Sequence, residues 1–163
     1  MNRLTPLAKG LITAVAMIVL EFLIYYTKQG AGSKLNLVAY LIFASGIIWT
    51  LVNYRRFINP EAKFGELFGQ GFRCFIVVAA LLVTFTGIFT ATHPEFAEND
   101  AKIYKEYLDK EVTNKTPAEK AEMVTGLKKH YTTGIIWSAI FGYLILGSII
   151  TAAGSGILLI RRN

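Results

Sequence analysis

Four long apolar blocks divide this chain of 163 residues and limit what it can fold into. They lie at about residues 7–26, 35–52, 72–92 and 133–160. A helix of about 20 apolar residues crosses the roughly 30 Å hydrocarbon core of a bilayer. The sequence therefore predicts a single all-α domain, an integral membrane four-helix bundle.

Two polar stretches lie beside the later blocks. Residues 60–71 repeat apolar side chains at three- and four-residue spacing, which predicts an amphipathic interfacial helix with Pro60 in its first turn. Residues 93–132 hold eight acids and seven lysines and predict a water-facing helical loop. Its first helix follows Pro94, and its second begins at a capping box from Thr116 to Glu119 and joins the fourth block.

The net charge of +6 does not indicate nucleic-acid binding, because the unpaired basic residues flank the apolar blocks. Membrane proteins carry cations there to meet anionic headgroups and to set their orientation. The single cysteine, Cys74, excludes an internal disulfide and is expected to be a buried thiol. We expect neither a cofactor nor a metal.

The basic residues also predict the orientation. Every arginine falls at the chain ends or between the end of the second block and the start of the third, whereas the seven lysines of residues 93–132 are balanced by acids. This places both termini in the cytoplasm and residues 93–132 in the periplasm. The predicted location is the inner membrane of a bacterium. The residues expected to anchor the topology or contact headgroups are Arg55, Arg56, Arg73, Arg161 and Arg162.

Glu21 is the candidate for chemistry inside the bilayer. A carboxylate within an apolar block is costly unless it is paired, protonated or hydrated, so it suggests a proton or cation site. The alternative is a structural hydrogen bond to a neighbouring helix. From the outer part of the first block, Glu21 could reach His93, His130 or Lys28.

His93 and His130 flank the outer loop and are candidates at the outer boundary. With Glu95 they would supply three zinc ligands, but the chain lacks a ligand-spacing motif. Two boundary histidines are the simpler interpretation.

Small residues recur every four positions in the fourth block. Such residues let helices approach closely in lipid, either inside the bundle or against another chain. The helix-packing candidates are Gly134, Ser138, Gly142, Gly147, Thr151 and Ser155. Gly65, Gly69 and Gly71 lack the ending of a phosphate loop and suggest close packing or a flexible turn.

Four short motifs occur in a fixed order along nearly the whole chain: Asn53-Tyr54-Arg55, residues 64–71, Pro94-Glu95-Phe96 and Ile160-Arg161-Arg162. In this order and spacing they resemble a family of uncharacterised four-span membrane proteins common in Bacteroidota. One departure is Glu61-Ala62-Lys63 before Phe64, where the family pattern has a glycine. The resemblance implies four spans and assigns no activity.

No nucleophile or paired-carboxylate motif for catalysis is found, so we expect a protein that is not an enzyme. The favoured function is a structural or accessory subunit that binds a membrane or periplasmic partner. The alternative is a small oligomeric transporter or channel that uses Glu21. An enzyme acting on lipid is the third class. The expected partners are the lipid bilayer and either another membrane protein or a second copy.

Overall fold

The structure, a computed structural model, describes residues 4–27, 34–112 and 114–160. Within them the chain forms five helices and no strand. The helices are α1 (Pro6–Tyr26), α2 (Lys34–Phe57), α3 (Phe64–Thr92), α4 (Glu95–Glu111) and α5 (Pro117–Ile160).

Four of these helices are long and apolar enough to cross a membrane, judged by length and composition: α1, α3, α5 and residues Leu37–Phe57 of α2. This confirms the prediction of an all-helical chain with four long apolar helices.

Local sequence explains where the helices begin. The Thr5 hydroxyl accepts a hydrogen bond from the Ala8 amide at 3.2 Å, and Pro6 takes the first position of α1. The predicted capping box of α5 is confirmed: Thr116 N–H donates to Glu119 Oε2 at 2.7 Å, and Glu119 N–H donates to Thr116 Oγ1 at 3.3 Å. The expected junction between this helix and the fourth block is also confirmed, since α5 is continuous.

The prediction for Pro60 is wrong. Pro60 lies in a turn, and α3 begins at Phe64 because Glu66 Oε2 accepts from Lys63 N–H at 3.0 Å. From Phe64 onward, the segment assigned to the interface forms the first two turns of α3 and continues into the third apolar block.

The chain divides into two compact units, one of residues 1–83 and 140–163 and the other of residues 84–139. In the first unit, α1, α2 and the adjoining parts of α3 and α5 surround an apolar core. Its fully buried side chains include Met17, Phe43, Ile47, Leu51, Phe75 and Val78.

The second unit contains the end of α3, all of α4 and the start of α5. Ala101 and Leu108 of α4 are buried, as their spacing predicts. Tyr131 of α5 donates a hydrogen bond to Asp100 Oδ2 of α4 at 2.8 Å. Lys120 and Asp109 form an ion pair at 3.6 Å between the same two helices. These contacts join α4 to α5.

Candidate functional site

Lys9, in the first turn of α1, is buried with only 3% of its surface exposed. Its Nζ atom donates to Oδ1 of Asn53 at 2.8 Å and lies 5.4 Å from the centre of the Trp49 ring. A buried ammonium group is tolerated when its donors are paired, and an aromatic face stabilises a cation. An amide oxygen and an indole ring from α2 therefore replace water around this amine.

This position extends the sequence interpretation, in which Glu21 was the candidate ionisable residue inside an apolar block and Lys9 was not singled out. The first apolar helix carries two such residues, and Lys9 points into the protein. The available signal was a lysine inside the first block together with Asn53 at the end of the second block.

Further polar groups surround Lys9. Thr13 Oγ1 donates to the Lys9 carbonyl at 2.8 Å, and Cys74 Sγ donates weakly to the Gly46 carbonyl at 3.7 Å. The expected burial of Cys74 is confirmed. We call this group, drawn from α1, α2 and α3, the Lys9 cluster: Lys9, Thr13, Gly46, Trp49, Thr50, Asn53 and Cys74.

Two glycines allow the helices to meet at the Lys9 cluster. A Cβ atom on Gly10 would lie 2.6 Å from the Cys74 carbonyl oxygen, and one on Gly46 would clash with the Thr13 side chain. The backbones of α1 and α3 can therefore approach closely only because position 10 lacks a side chain.

Glu21 lies further along α1 and is half-buried. Glu21 interacts electrostatically with the Tyr143 hydroxyl on α5. Tyr143 interacts in the same way with Tyr40 on α2. The Tyr143 ring meets the edge of Phe43, with ring centres 5.6 Å apart. No residue that the structure describes forms a hydrogen bond or ion pair with Glu21. A carboxylate beside a phenol on apolar helices is suited to hold a proton or a small cation.

The predicted partners of Glu21 belong to the other compact unit or are not described. His93 and His130 belong to the second unit, and Lys28 lies outside the described residues. His93 Nδ1 lies 2.9 Å from the Phe89 carbonyl oxygen, and its ring centre is 4.3 Å from that of Phe89. His130 is exposed. The described ranges contain no group of three or more histidine, cysteine or acidic side chains that could hold a metal.

The small residues of α5 separate into two faces. Gly147, Thr151 and Ser155 are buried, and a Cβ atom on Gly147 would lie 2.6 Å from the Phe75 ring. Within the described chain, the hydroxyls of Thr151 and Ser155 have no hydrogen-bond partner. These three residues pack inside the bundle.

The other three small residues face outward. Gly134, Ser138 and Gly142 are exposed, and a Cβ atom on either glycine would have nothing within 4 Å. We call this the outer small-residue face of α5. Packing against the described residues does not account for it.

The predicted anchors also differ from one another. The Arg55 guanidinium donates to the Ala62 carbonyl and so ties the end of α2 to the connector before α3. Arg56 and Arg73 are exposed, as headgroup contact requires. Arg161 and Arg162 lie outside the described residues.

Comparison with known proteins adds the family. Residues 9–159 match the model of a family described as protein of unknown function (DUF4199), and the chain belongs to that family. Neither the curated proteins nor the solved structures include a significant match.

Proposed function

We propose that this member of the DUF4199 family is an integral membrane protein that acts as a non-catalytic accessory subunit and binds another membrane protein. The observation that carries the proposal is the outer small-residue face of α5. Glycine and serine at four-residue spacing allow a second helix to approach closely in lipid, where packing drives association. An open face of this kind on a long apolar helix fits a helix from another chain.

The exposure of α5 supports the same proposal. In the most apolar 18-residue stretch of α5, only 17% of the residues are buried. In the corresponding stretches of the other three long helices, 28–33% of the residues are buried. Trp137 and Phe141, beside the outer small-residue face, are also exposed, by 55% and 57%.

A photo-crosslinking experiment in native membranes tests this proposal. A photoreactive amino acid replaces Ser138 in one variant and Ile12, an exposed apolar residue of α1, in the control. The Ser138 variant should give an adduct with one defined protein, and the Ile12 variant should not. If Ser138 captures only lipid or a second copy of the chain, the accessory function is rejected.

The proposal includes an orientation with both chain ends in the cytoplasm of a bacterial cell and the α4 region outside the inner membrane. The cations around the connector before α3 support it through the positive-inside rule. In intact cells, a membrane-impermeant maleimide should label a Lys102→Cys variant but not a Lys63→Cys variant. The native Cys74 is buried and should give little background. The reverse labelling pattern would contradict the orientation.

The alternative function is a small oligomeric transporter or channel that uses Glu21. The observation favouring it is the half-buried Glu21 carboxylate, which interacts electrostatically with the Tyr143 hydroxyl. Ion flux into proteoliposomes should fall in Glu21→Gln and Glu21→Leu variants. Normal flux in the Glu21→Leu variant would rule out this function.

A further inference from the structure

The connector between α2 and α3, together with the first turns of α3, forms a surface that is both basic and apolar. Arg56, Lys63 and Arg73 are exposed there. Their side chains form no hydrogen bond or ion pair with any residue in the described part of the chain. Three cations that have no partner among the described residues therefore lie within 18 positions of sequence.

The acids of this segment do not neutralise these cations. Glu66 Oε2 accepts from Asn59 Nδ2 at 3.2 Å and from Lys63 N–H at 3.0 Å, which holds its carboxylate against the connector. Glu61, the other acid, takes part in a contact that involves none of these three cations. Residues 55–73 contain four cations and these two acids, so the segment carries a net charge of +2.

Large apolar side chains are exposed among the cations. Phe57 is 58% exposed, Phe64 is 45% exposed and Phe72 is 41% exposed. Phe64, Phe68 and Phe72 stack in sequence along α3, with successive ring centres 5.9 and 6.5 Å apart. This arrangement forms an aromatic ridge along the first turns of α3.

Gly65, Gly69 and Arg73 follow the next row of α3, beside that ridge. A Cβ atom on either glycine would have nothing within 4 Å, so the row is open. Helical side chains point toward the N-terminus of their helix, which directs Arg73 along this row toward Gly69 and the start of α3. In contrast, Gly71 packs on Thr151 and Leu51, so packing among the described residues explains this glycine and not the other two.

We propose that this surface, formed by Arg56, Lys63, Arg73 and the ridge of Phe64, Phe68 and Phe72, binds an anionic phospholipid. The cations meet the lipid phosphate, and the phenylalanine ridge lies beside the acyl chains. Charge complementarity selects this occupant, because basic residues next to apolar ones at the end of a membrane helix attract anionic headgroups. The row with Gly65 and Gly69 leaves space for the headgroup next to Arg73.

Native mass spectrometry of the full chain in mild detergent tests this proposal. Dioleoyl phosphatidylglycerol should remain bound, dioleoyl phosphatidylcholine should be lost, and excess inorganic phosphate should not displace the anionic lipid. Arg73→Gln should weaken the binding roughly tenfold or more, because a charge-assisted contact to phosphate is lost. Gly69→Leu should weaken it as well by filling the open row.

Two matched controls keep the test specific. Lys102→Gln removes an exposed cation from α4, and Gly126→Leu fills an open glycine position on α5. Both should bind phosphatidylglycerol as the unchanged chain does. Equal retention of the two lipids, displacement by inorganic phosphate, or full binding by Arg73→Gln would overturn the proposal. If Gly69→Leu does not fold, Arg73→Gln decides the outcome alone.

Discussion

The Nζ atom of Lys9 lies 2.8 Å from Oδ1 of Asn53, and this hydrogen bond joins the first turn of α1 to the last turns of α2. Lys9 is 3% exposed, so water is largely excluded from the amine. Within the described residues, no carboxylate pairs with it. The amide of Asn53 is therefore the main group that compensates a buried positive charge.

Replacement of Asn53 with alanine should leave this amine without its acceptor. A buried donor that loses its partner costs about 1–3 kcal/mol, so the free energy of unfolding should fall by about that amount. The double variant Lys9→Met with Asn53→Leu should be nearly as stable as the unchanged chain or more stable, because no polar group is left buried and unpaired.

Unfolding in detergent micelles with increasing dodecyl sulfate measures these differences. Lys102→Met, at an exposed position on α4, is the control and should change stability little. A double variant that is as unstable as Asn53→Ala would show that the amine and amide contribute packing rather than pairing.

The sequence was sufficient to predict the elements whose causes are local. Four apolar blocks predict four long helices, and Thr116 with Glu119 marks the start of α5 through bonds between residues three positions apart. The burial of Lys9 could not be predicted in this way. Its partner is 44 positions away, and the pairing depends on how α1 and α2 are aligned.

The small residues of α5 show the same limit. Gly134 and Gly147 are the first residues of two rows of small residues with the same four-residue spacing. Gly134 is exposed, whereas Gly147 is buried. They are 13 positions apart, which at 3.6 residues per turn places them on roughly opposite sides of the helix. Sequence spacing identifies both rows, but only the rotation of α5 against Phe75 determines which one faces the core.

Gly10 should not tolerate a side chain. In Gly10→Ala the new Cβ atom would lie 2.6 Å from a backbone oxygen of α3, which cannot rotate away. The helices must separate, and overpacking of this kind costs about 1–3 kcal/mol. Gly142→Ala is the matched control, since that position is open and alanine favours the helix. The same micelle unfolding assay compares the two variants, and equal stability would contradict the close approach of α1 and α3.

The start of α5 should depend on pH through Glu119. The hydrogen bond from the Thr116 backbone N–H, assisted by the Thr116 hydroxyl, lowers the pKa of Glu119 below its usual value of 4.5. A lowered pKa in the folded state means that the charged form stabilises the helix start. This contribution is present above about pH 4.5 and is lost as the pH falls through the lowered pKa.

Amide hydrogen exchange in the first turn of α5 measures this dependence. After correction for intrinsic rates, protection should decrease between pH 5 and pH 3 in the unchanged chain. It should be lower and nearly independent of pH in Glu119→Ala. A decrease of the same size in Glu119→Ala would assign the effect to another group.

Arg55 and Arg56 are neighbours with different contacts, so their substitution should have different effects. The Arg55 guanidinium donates to the carbonyl of Ala62, a connector residue that is 1% exposed. Arg56 is exposed and has no partner among the described residues. Arg55→Gln should release the connector and raise amide exchange at residues 59–63 roughly tenfold, because a hydrogen bond from a charged donor is lost. Arg56→Gln should leave that exchange unchanged, and equal effects of the two substitutions would mean that both arginines act through the membrane surface rather than through Ala62.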